Sequence, residues 1–288
     1  KKIDTIIING AECEPYLTAD HRLMVEEPEK IVFGLKAIMK AVGVEKGIIG
    51  IEKNKPDAII ALREASKDEP SISVASLKVK YPQGDEKRLI NATLGRVVPS
   101  GGLPMDVGAV VCNVSTTKAI AEAIKEGKPL YERVVTITGY GIKEPKNLIA
   151  KIGTPFKDLI RQCGGFNEGS PGKIIMGGPM MGISQYSIDV PVIKGSGGIL
   201  VLTEKEAKPE PIQPCIKCGK CVDICPVRLQ PLYLSGYSLK KKFDNAEKLN
   251  ALDCIECGAC SYICPAKRPL VESIRMAKRE IIAKRKAK

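Results

Sequence analysis

Apolar residues in the first 130 positions alternate between short continuous runs and helical spacings. Ile3–Asn9 is an apolar run that ends in a polar loop, Asn9-Gly10-Ala11-Glu12-Cys13-Glu14-Pro15-Tyr16, and it predicts a strand. Pro28–Val42 carries Ile31, Leu35, Ile38, Met39 and Val42 at helical spacing behind a proline, which predicts a helix. Strands are expected over Gly47–Glu52, Ser71–Tyr81 and Asp106–Val114, and helices over Pro56–Ser66, Gly84–Leu94 and Thr116–Ile124. This alternation points to an α/β layer on a mostly parallel sheet.

The pattern changes near Tyr131. Arg133–Gly139 reads as a strand, Asn147–Ile152 as its hairpin partner, Pro155–Cys163 as a short helix and Ile199–Thr203 as a further strand. The stretch between them is rich in Gly, Pro and Met, and Met176, Met180 and Met181 read as turn and core material. A small β-rich domain wrapping one helix is expected over 131–203. Glu204–Pro214 is charged and proline-rich with no apolar face, as a linker is. A third region follows over 215–288. Its last fourteen residues hold seven Lys or Arg against one Glu and predict a basic, solvated helix.

Composition removes several function classes. The only histidine, His21, excludes a Cys₂His₂ zinc site and leaves no basis for a Ser–His–Asp triad. His21 reads as a local hydrogen-bonding residue. Twelve aromatics and no tryptophan are too few for a base-stacking surface, so the net charge of +12 does not imply nucleic acid. The longest apolar runs, around Val107–Cys112 and Gly197–Leu202, fall short of the roughly 18–20 residues of a membrane span and read as buried strands. The chain opens on Lys1-Lys2 just before a strand, without an initiator Met, which predicts a segment of a longer protein.

Eight of the eleven cysteines lie between positions 215 and 264, in a repeat. Each copy reads C-x₂-C-x₂-C-x₃-C-P: Cys215, Cys218, Cys221, Cys225 and Pro226, then Cys254, Cys257, Cys260, Cys264 and Pro265. Three thiolates at this spacing converge on one 4Fe–4S cubane, and in two-cluster ferredoxins the fourth ligates the other cubane. One cluster is therefore assigned to Cys215, Cys218, Cys221 and Cys264, and the other to Cys254, Cys257, Cys260 and Cys225. Structural zinc uses pairs of ligands at longer separations, and disulfides would not require a duplicated spacing. Gly219 and Gly258 sit where a Cβ would crowd the cluster or a turn needs positive φ. Cys13, Cys112 and Cys163, outside the runs, read as small buried or half-buried residues.

A strand-end loop with two carboxylates and an amide stands where α/β folds place ligands. With the cysteine repeat, the chain resembles the C subunits of Rnf-type ion-translocating electron transport complexes over nearly all 288 residues. The resemblance is carried by IIINGAECEPYLTADHRLM (6–24), YPQGDEKRLI (81–90), VCNVSTTKAI (111–120) and the cysteine runs. The first region is also similar to the flavin-binding subunit of respiratory complex I, with its Asn-x-x-Glu-x-Glu-Pro loop. The segment from 131 to about 180 resembles the soluble-ligand-binding β-grasp (SLBB) domain of both families.

The resemblance implies FMN and NAD(H) binding in a partial Rossmann-like domain over 1–130, then an SLBB-like β-grasp domain and a two-cluster ferredoxin-like α+β domain. It places Asn9, Glu12 and Glu14 along the flavin, Tyr81, Gly84, Asp85 and Glu86 near flavin and nicotinamide, and Asn113 beside the flavin phosphate or ribityl chain. Ala11 stands where the complex I pattern has Asp. The family's glycine-rich flavin loop lies upstream of this strand and has no match here, so these residues alone are expected to retain little or no FMN. The implied function is that of a peripheral electron-transfer subunit on the cytoplasmic side of a membrane. It would pass electrons between NAD(H), FMN and the clusters, with membrane subunits and ferredoxin or another redox protein as partners. A soluble cobalamin reductase of microcompartments resembles the same family. A non-catalytic iron–sulfur module is a third reading of the repeat.

Overall fold

The computed structural model describes residues 1–168 and 171–287. They form two compact units, Lys1–Ala207 and Lys208–Lys288.

The first unit opens with a four-stranded sheet: β1 (Thr5–Gly10), β2 (Gly47–Glu52), β3 (Ile72–Leu77) and β4 (Ala109–Asn113). All pairings are parallel, and the strand order is β3-β2-β1-β4. β1 and β2 are apolar and almost wholly buried, as central parallel strands are when helices cover both faces. Ile6 and Ile8 of β1 face a core shared with α2 (Pro28–Val42) and α3 (Pro56–Ala65), whereas Ile7 faces Leu89 and Ile90 of α4 (Glu86–Leu94). α1 (Ala19–Glu26) precedes α2, and α5 (Val114–Glu126) follows β4. Pro28 opens α2 at its first turn and Gly43, at φ 75°, closes it in the left-handed conformation. Strand order reverses between β1 and β4. Open α/β sheets bind ligands at such a switch point, outside the carboxyl ends of the strands.

The same unit continues into a five-stranded mixed sheet of order β6-β5-β9-β7-β8. Its strands are β5 (Glu132–Thr138), β6 (Lys146–Lys151), β7 (Lys173–Met176), β8 (Ile183–Gln185) and β9 (Gly198–Leu202). α6 (Phe156–Gln162) buries Phe156, Leu159 and Ile160 against Val135, Ile137 and Val201. The β5–β6 hairpin matches the sequence reading. The Met-rich stretch differs from it: residues 173–185 form a second antiparallel hairpin, with Met176 in the strand β7 and Met180 and Met181 in the connecting loop. Within the segment read as linker, Glu204–Ala207 forms one helical turn, α7.

In the second unit the repeat is visible in the backbone. Lys217, Gly219 and Arg228 have positive φ, and so do Glu256, Gly258 and Lys267, each 39 residues later. Four of these six are not glycine. Left-handed backbone at such residues costs on the order of 1 kcal/mol each and persists only where the surroundings impose it. Gly219 has open space around a virtual Cβ, so its φ of 79° is what requires glycine there. The short helices α8 (Lys220–Asp223) and α11 (Ala259–Ile263) follow the two glycines. Between them lie α9 (Pro231–Leu239) and α10 (Phe243–Lys248).

In the C-terminal helix α12 (Leu270–Lys286) the residues from 275 on are mostly exposed, as read, with Ala277 and Ile281 facing inward. It buries Leu270, Val271, Ile274, Ala277 and Ile281, and Ser273 joins the buried Ser235 and Ser238 of α9 through hydroxyl hydrogen bonds. Its cations are also engaged. Arg275 and Lys278 pair with Glu256, Lys284 with Asp244 and Arg285 with Glu247. Seventeen residues let an amphipathic stripe outweigh the basic composition. No helix among the described residues is long and apolar enough to cross a membrane.

Candidate functional site

Asn9 and Asn113 are direct neighbours across the β1–β4 pair, at the switch point itself. Asn9 Oδ1 accepts the Ala11 N–H at 3.1 Å, and its Nδ2 donates to the Gly84 carbonyl at 2.8 Å. The amide thus ties the β1 loop to the Tyr81–Glu86 loop. A Cβ on Gly84 would lie 2.4 Å from the Ala11 carbonyl oxygen, so only glycine permits this approach. Asn113 caps α5 by accepting the Ser115 N–H at 2.8 Å and donates to Asp20 Oδ2 at 2.7 Å. Asp85 caps α4, accepting the Arg88 N–H at 3.1 Å. Glu86 is exposed at the first position of α4.

Glu12 does not offer free oxygens. Its carboxylate accepts the N–H groups of Asp20 at 3.0 Å and His21 at 3.1 Å, capping α1 from outside the helix, while Thr18 makes no side-chain cap. Glu14 accepts the N–H groups of Met181 at 2.7 Å and Met180 at 3.3 Å, joining the acidic loop to the Met-rich hairpin. The sequence reading missed Asp20, Glu52 and Lys55. Lys55 is buried, with Nζ 3.1 Å from the Glu12 carbonyl and 3.5 Å from Glu52. Its signal is positional: it follows β2 closely and directly precedes the proline that opens α3. His21 pairs with Asp57 of α3 at 2.8 Å, a partner 36 residues along the chain and not the local one read from the sequence.

These groups border a cavity of about 410 Å³ whose lining includes Glu12, Glu14, His21, Lys55 and Tyr81. Beside it the Gln83 amide oxygen is buried without a donor among the described residues, which costs about 1–3 kcal/mol unless a ligand or water supplies one. Of the residues named from the sequence, Glu12, Glu14 and Tyr81 line this cavity, whereas Asn9, Gly84, Asp85, Glu86 and Asn113 lie outside its lining. Burial pushes the Glu12 carboxyl up to about 7, assisted by the Asp20 charge and opposed by the two N–H groups and Lys55. Asp20 is raised too, mainly by burial. Burial likewise raises the thiols of Cys13, Cys112 and Cys163, which stay neutral.

Because Glu12 lies above its usual 4.5 when folded, the folded chain holds this proton more tightly than the unfolded one. Stability falls as pH rises through the window from about 4.5 to about 7. The melting temperature is expected to drop by about 2–6 °C between pH 5.5 and pH 8. In Glu12→Gln most of that drop should vanish. Thermal unfolding at the two pH values checks this, and an equal drop in the variant contradicts it.

In the second unit the cysteines sort by neighbour. Cys221 is raised by burial and, among charges, by Cys264 and Cys215. Cys260 is pushed up to about 12 by burial and by Cys254, Cys257 and Cys225. Each set therefore joins thiols of one run to the fourth of the other. Cys215, Cys218, Cys221 and Cys264 border a cavity of about 360 Å³. Among the described residues no three Cys, His, Asp or Glu side chains converge on a single-ion point. A lone zinc needs four ligands within about 2.3 Å of one point. Four thiols around one cavity form a donor set that a thiolate-bound cluster would use. Backbone N–H groups reach several of the sulfurs, among them Lys217 N–H to Cys215 at 3.4 Å and Leu229 N–H to Cys225 at 3.3 Å.

Residues 1–122 match the Nuo51 FMN-binding domain, 134–184 the SLBB domain and 214–268 the 4Fe-4S dicluster domain. The C subunit of the Na⁺-translocating ferredoxin:NAD⁺ oxidoreductase complex of Acetobacterium woodii is 58% identical over 286 residues, covering 99% of this chain and 64% of that protein. The proton-translocating counterpart of Clostridium ljungdahlii is 55% identical over 281 residues, covering 97% of this chain and 61% of that protein. The chain thus spans somewhat less than two thirds of the length of these relatives. An NAD⁺-reducing [NiFe]-hydrogenase structure shares the fold with a TM-score of 0.64 at 16% identity, over 96% of this chain and 56% of that one. Over nearly its whole length the chain is similar to the C subunits of ion-translocating oxidoreductase complexes.

Proposed function

We propose that the whole protein is the peripheral redox subunit of a membrane complex, passing electrons between NAD(H) and a one-electron partner such as ferredoxin. FMN and two 4Fe–4S cubanes would be its cofactors, on the cytoplasmic side of the membrane. The observation that carries this reading is the cavity that brings Cys264 of the second run together with Cys215, Cys218 and Cys221 of the first, in a chain whose residues 1–122 match a flavin-domain model.

Cys215, Cys218, Cys221 and Cys264 would hold one cubane, and Cys254, Cys257, Cys260 and Cys225 the other. Asn9, Glu12, Glu14, Tyr81, Gly84, Asp85, Glu86 and Asn113 would form the flavin wall. Bound FMN converts two-electron hydride chemistry into single-electron steps. The chain's own residues do the positioning. Asn9 and Gly84 hold two loops together at the switch point, Glu12 fixes the start of α1, and Glu14 anchors the loop to the β-grasp domain. Lys55 reaches the Glu12 carbonyl at the cavity wall.

Anaerobic iron, sulfide and zinc analysis of the protein tests the reading. About eight irons and about eight sulfides per chain are expected. Stoichiometric zinc with no sulfide would overturn it.

A further inference from the structure

The two cysteine sets differ in what surrounds them. Cys257 and Cys260 are buried, and Cys254 and Cys225 are half-buried. The cations beside that set are neutralised inside the unit: Arg275 and Lys278 both pair with Glu256, at 2.6 and 2.7 Å. At the other set, Cys215 and Cys218 are exposed. The cavity they border has four charged side chains in its lining, Lys217, Lys220, Lys240 and Arg268, and all four are basic. None of the four enters an ion pair among the described residues. Arg268 reaches only the Gln213 carbonyl, at 3.5 Å. Ile216, between the two exposed cysteines, is 69% exposed.

Four unpaired cations around an exposed isoleucine and two exposed cysteines make a surface with an apolar centre and a basic rim. Balancing the charge of a thiolate-bound cluster does not account for the rim. The other quartet has the same charge to balance, yet the two cations beside it are held by Glu256. The surplus is confined to the set whose sulfurs reach the surface. An anionic lipid headgroup would neutralise these cations but exchange no electron, so exposed ligand sulfurs at the same place favour a redox partner.

We propose that this cavity mouth is the docking face for an acidic one-electron redox protein, whose carboxylates meet Lys217, Lys220, Lys240 and Arg268 around Ile216. The inference rests on the assignment of Cys215, Cys218, Cys221 and Cys264 as cubane ligands. The exchange is a single electron. The partner is oxidised by one and this chain reduced by one, or the reverse, and no bond or proton moves.

The test is stopped-flow reduction of the whole protein by a reduced, acidic 2[4Fe–4S] ferredoxin as probe, across a salt series. Wild type and the triple variant Lys217→Gln, Lys220→Gln, Lys240→Gln are compared. The triple variant should react at least about tenfold more slowly at low salt, with a flattened salt dependence. Iron content and the rate with dithionite should not change. Lys240→Glu, outside both cysteine runs, should shift the rate in the same direction and serves if the triple variant loses iron. An unchanged ferredoxin rate and salt slope in both variants would overturn the proposal. So would an unchanged rate together with lost binding to phosphatidylglycerol vesicles, which would assign the face to a membrane. Wild-type protein lacking cubane iron would overturn the ligand assignment itself, and the docking face with it.

Discussion

Cys225→Ala is expected to abolish the cubane built on Cys254, Cys257 and Cys260, although Cys225 lies in the other cysteine run. About four of about eight irons should be lost. The reason is the crossed grouping: Cys264 borders one cavity with Cys215, Cys218 and Cys221, whereas Cys225 and Cys254 pack against the same core cluster. Cys264→Ala should produce the mirror image, losing the cubane on Cys215, Cys218 and Cys221. Iron analysis gives the loss, and anaerobic alkylation followed by peptide mass mapping says which thiols were released. Newly reactive Cys254, Cys257 and Cys260 in Cys225→Ala support the crossed set. Newly reactive Cys215, Cys218 and Cys221 would show that each run holds its own cubane.

The second large effect is expected at Gly84. A methyl group there would meet the Ala11 carbonyl oxygen at 2.4 Å, backbone against backbone, with no flexible side chain to give way. The two loops must separate, at about 1–3 kcal/mol, and the Asn9–Gly84 hydrogen bond at 2.8 Å is lost or bent. In the whole protein, Gly84→Ala should weaken FMN binding by about tenfold or more, with the iron content unchanged. Flavin fluorescence titration measures it. Unaltered flavin affinity would remove these loops from the flavin wall.

Much of this architecture is legible in the residues because local and global signals agree. α2 runs from Pro28 to Val42 as its spacing predicts, since a proline start, an apolar stripe and a left-handed glycine all mark the same helix. The cysteine repeat is legible for a similar reason: ligand spacing and backbone conformation are both duplicated, with positive φ at matching positions. α1 was not legible. Its N-terminal cap is the Glu12 carboxylate, which reaches it through tertiary structure and not from the adjoining Thr18. The β7–β8 hairpin was hidden because its strands are four and three residues long, too short for a period-two pattern. Glu14 shows how a motif can name a residue without naming its partner. The pattern marks it for the flavin, and the structure gives it two backbone N–H groups of the Met-rich loop. The partners of the basic tail were hidden for another reason. Composition counts cations, but ion pairing with Glu256, Asp244 and Glu247 depends on which helices pack together.

The proposed function requires that electrons from NADH reach the cubanes. Anaerobic titration of the whole protein with NADH, followed by electron paramagnetic resonance, tests it most directly. The account predicts reduced-cubane signals after NADH addition, diminished when Glu12 or Glu86 is replaced by Gln. Cubanes that dithionite reduces but NADH leaves oxidised, in protein containing stoichiometric FMN, would contradict it.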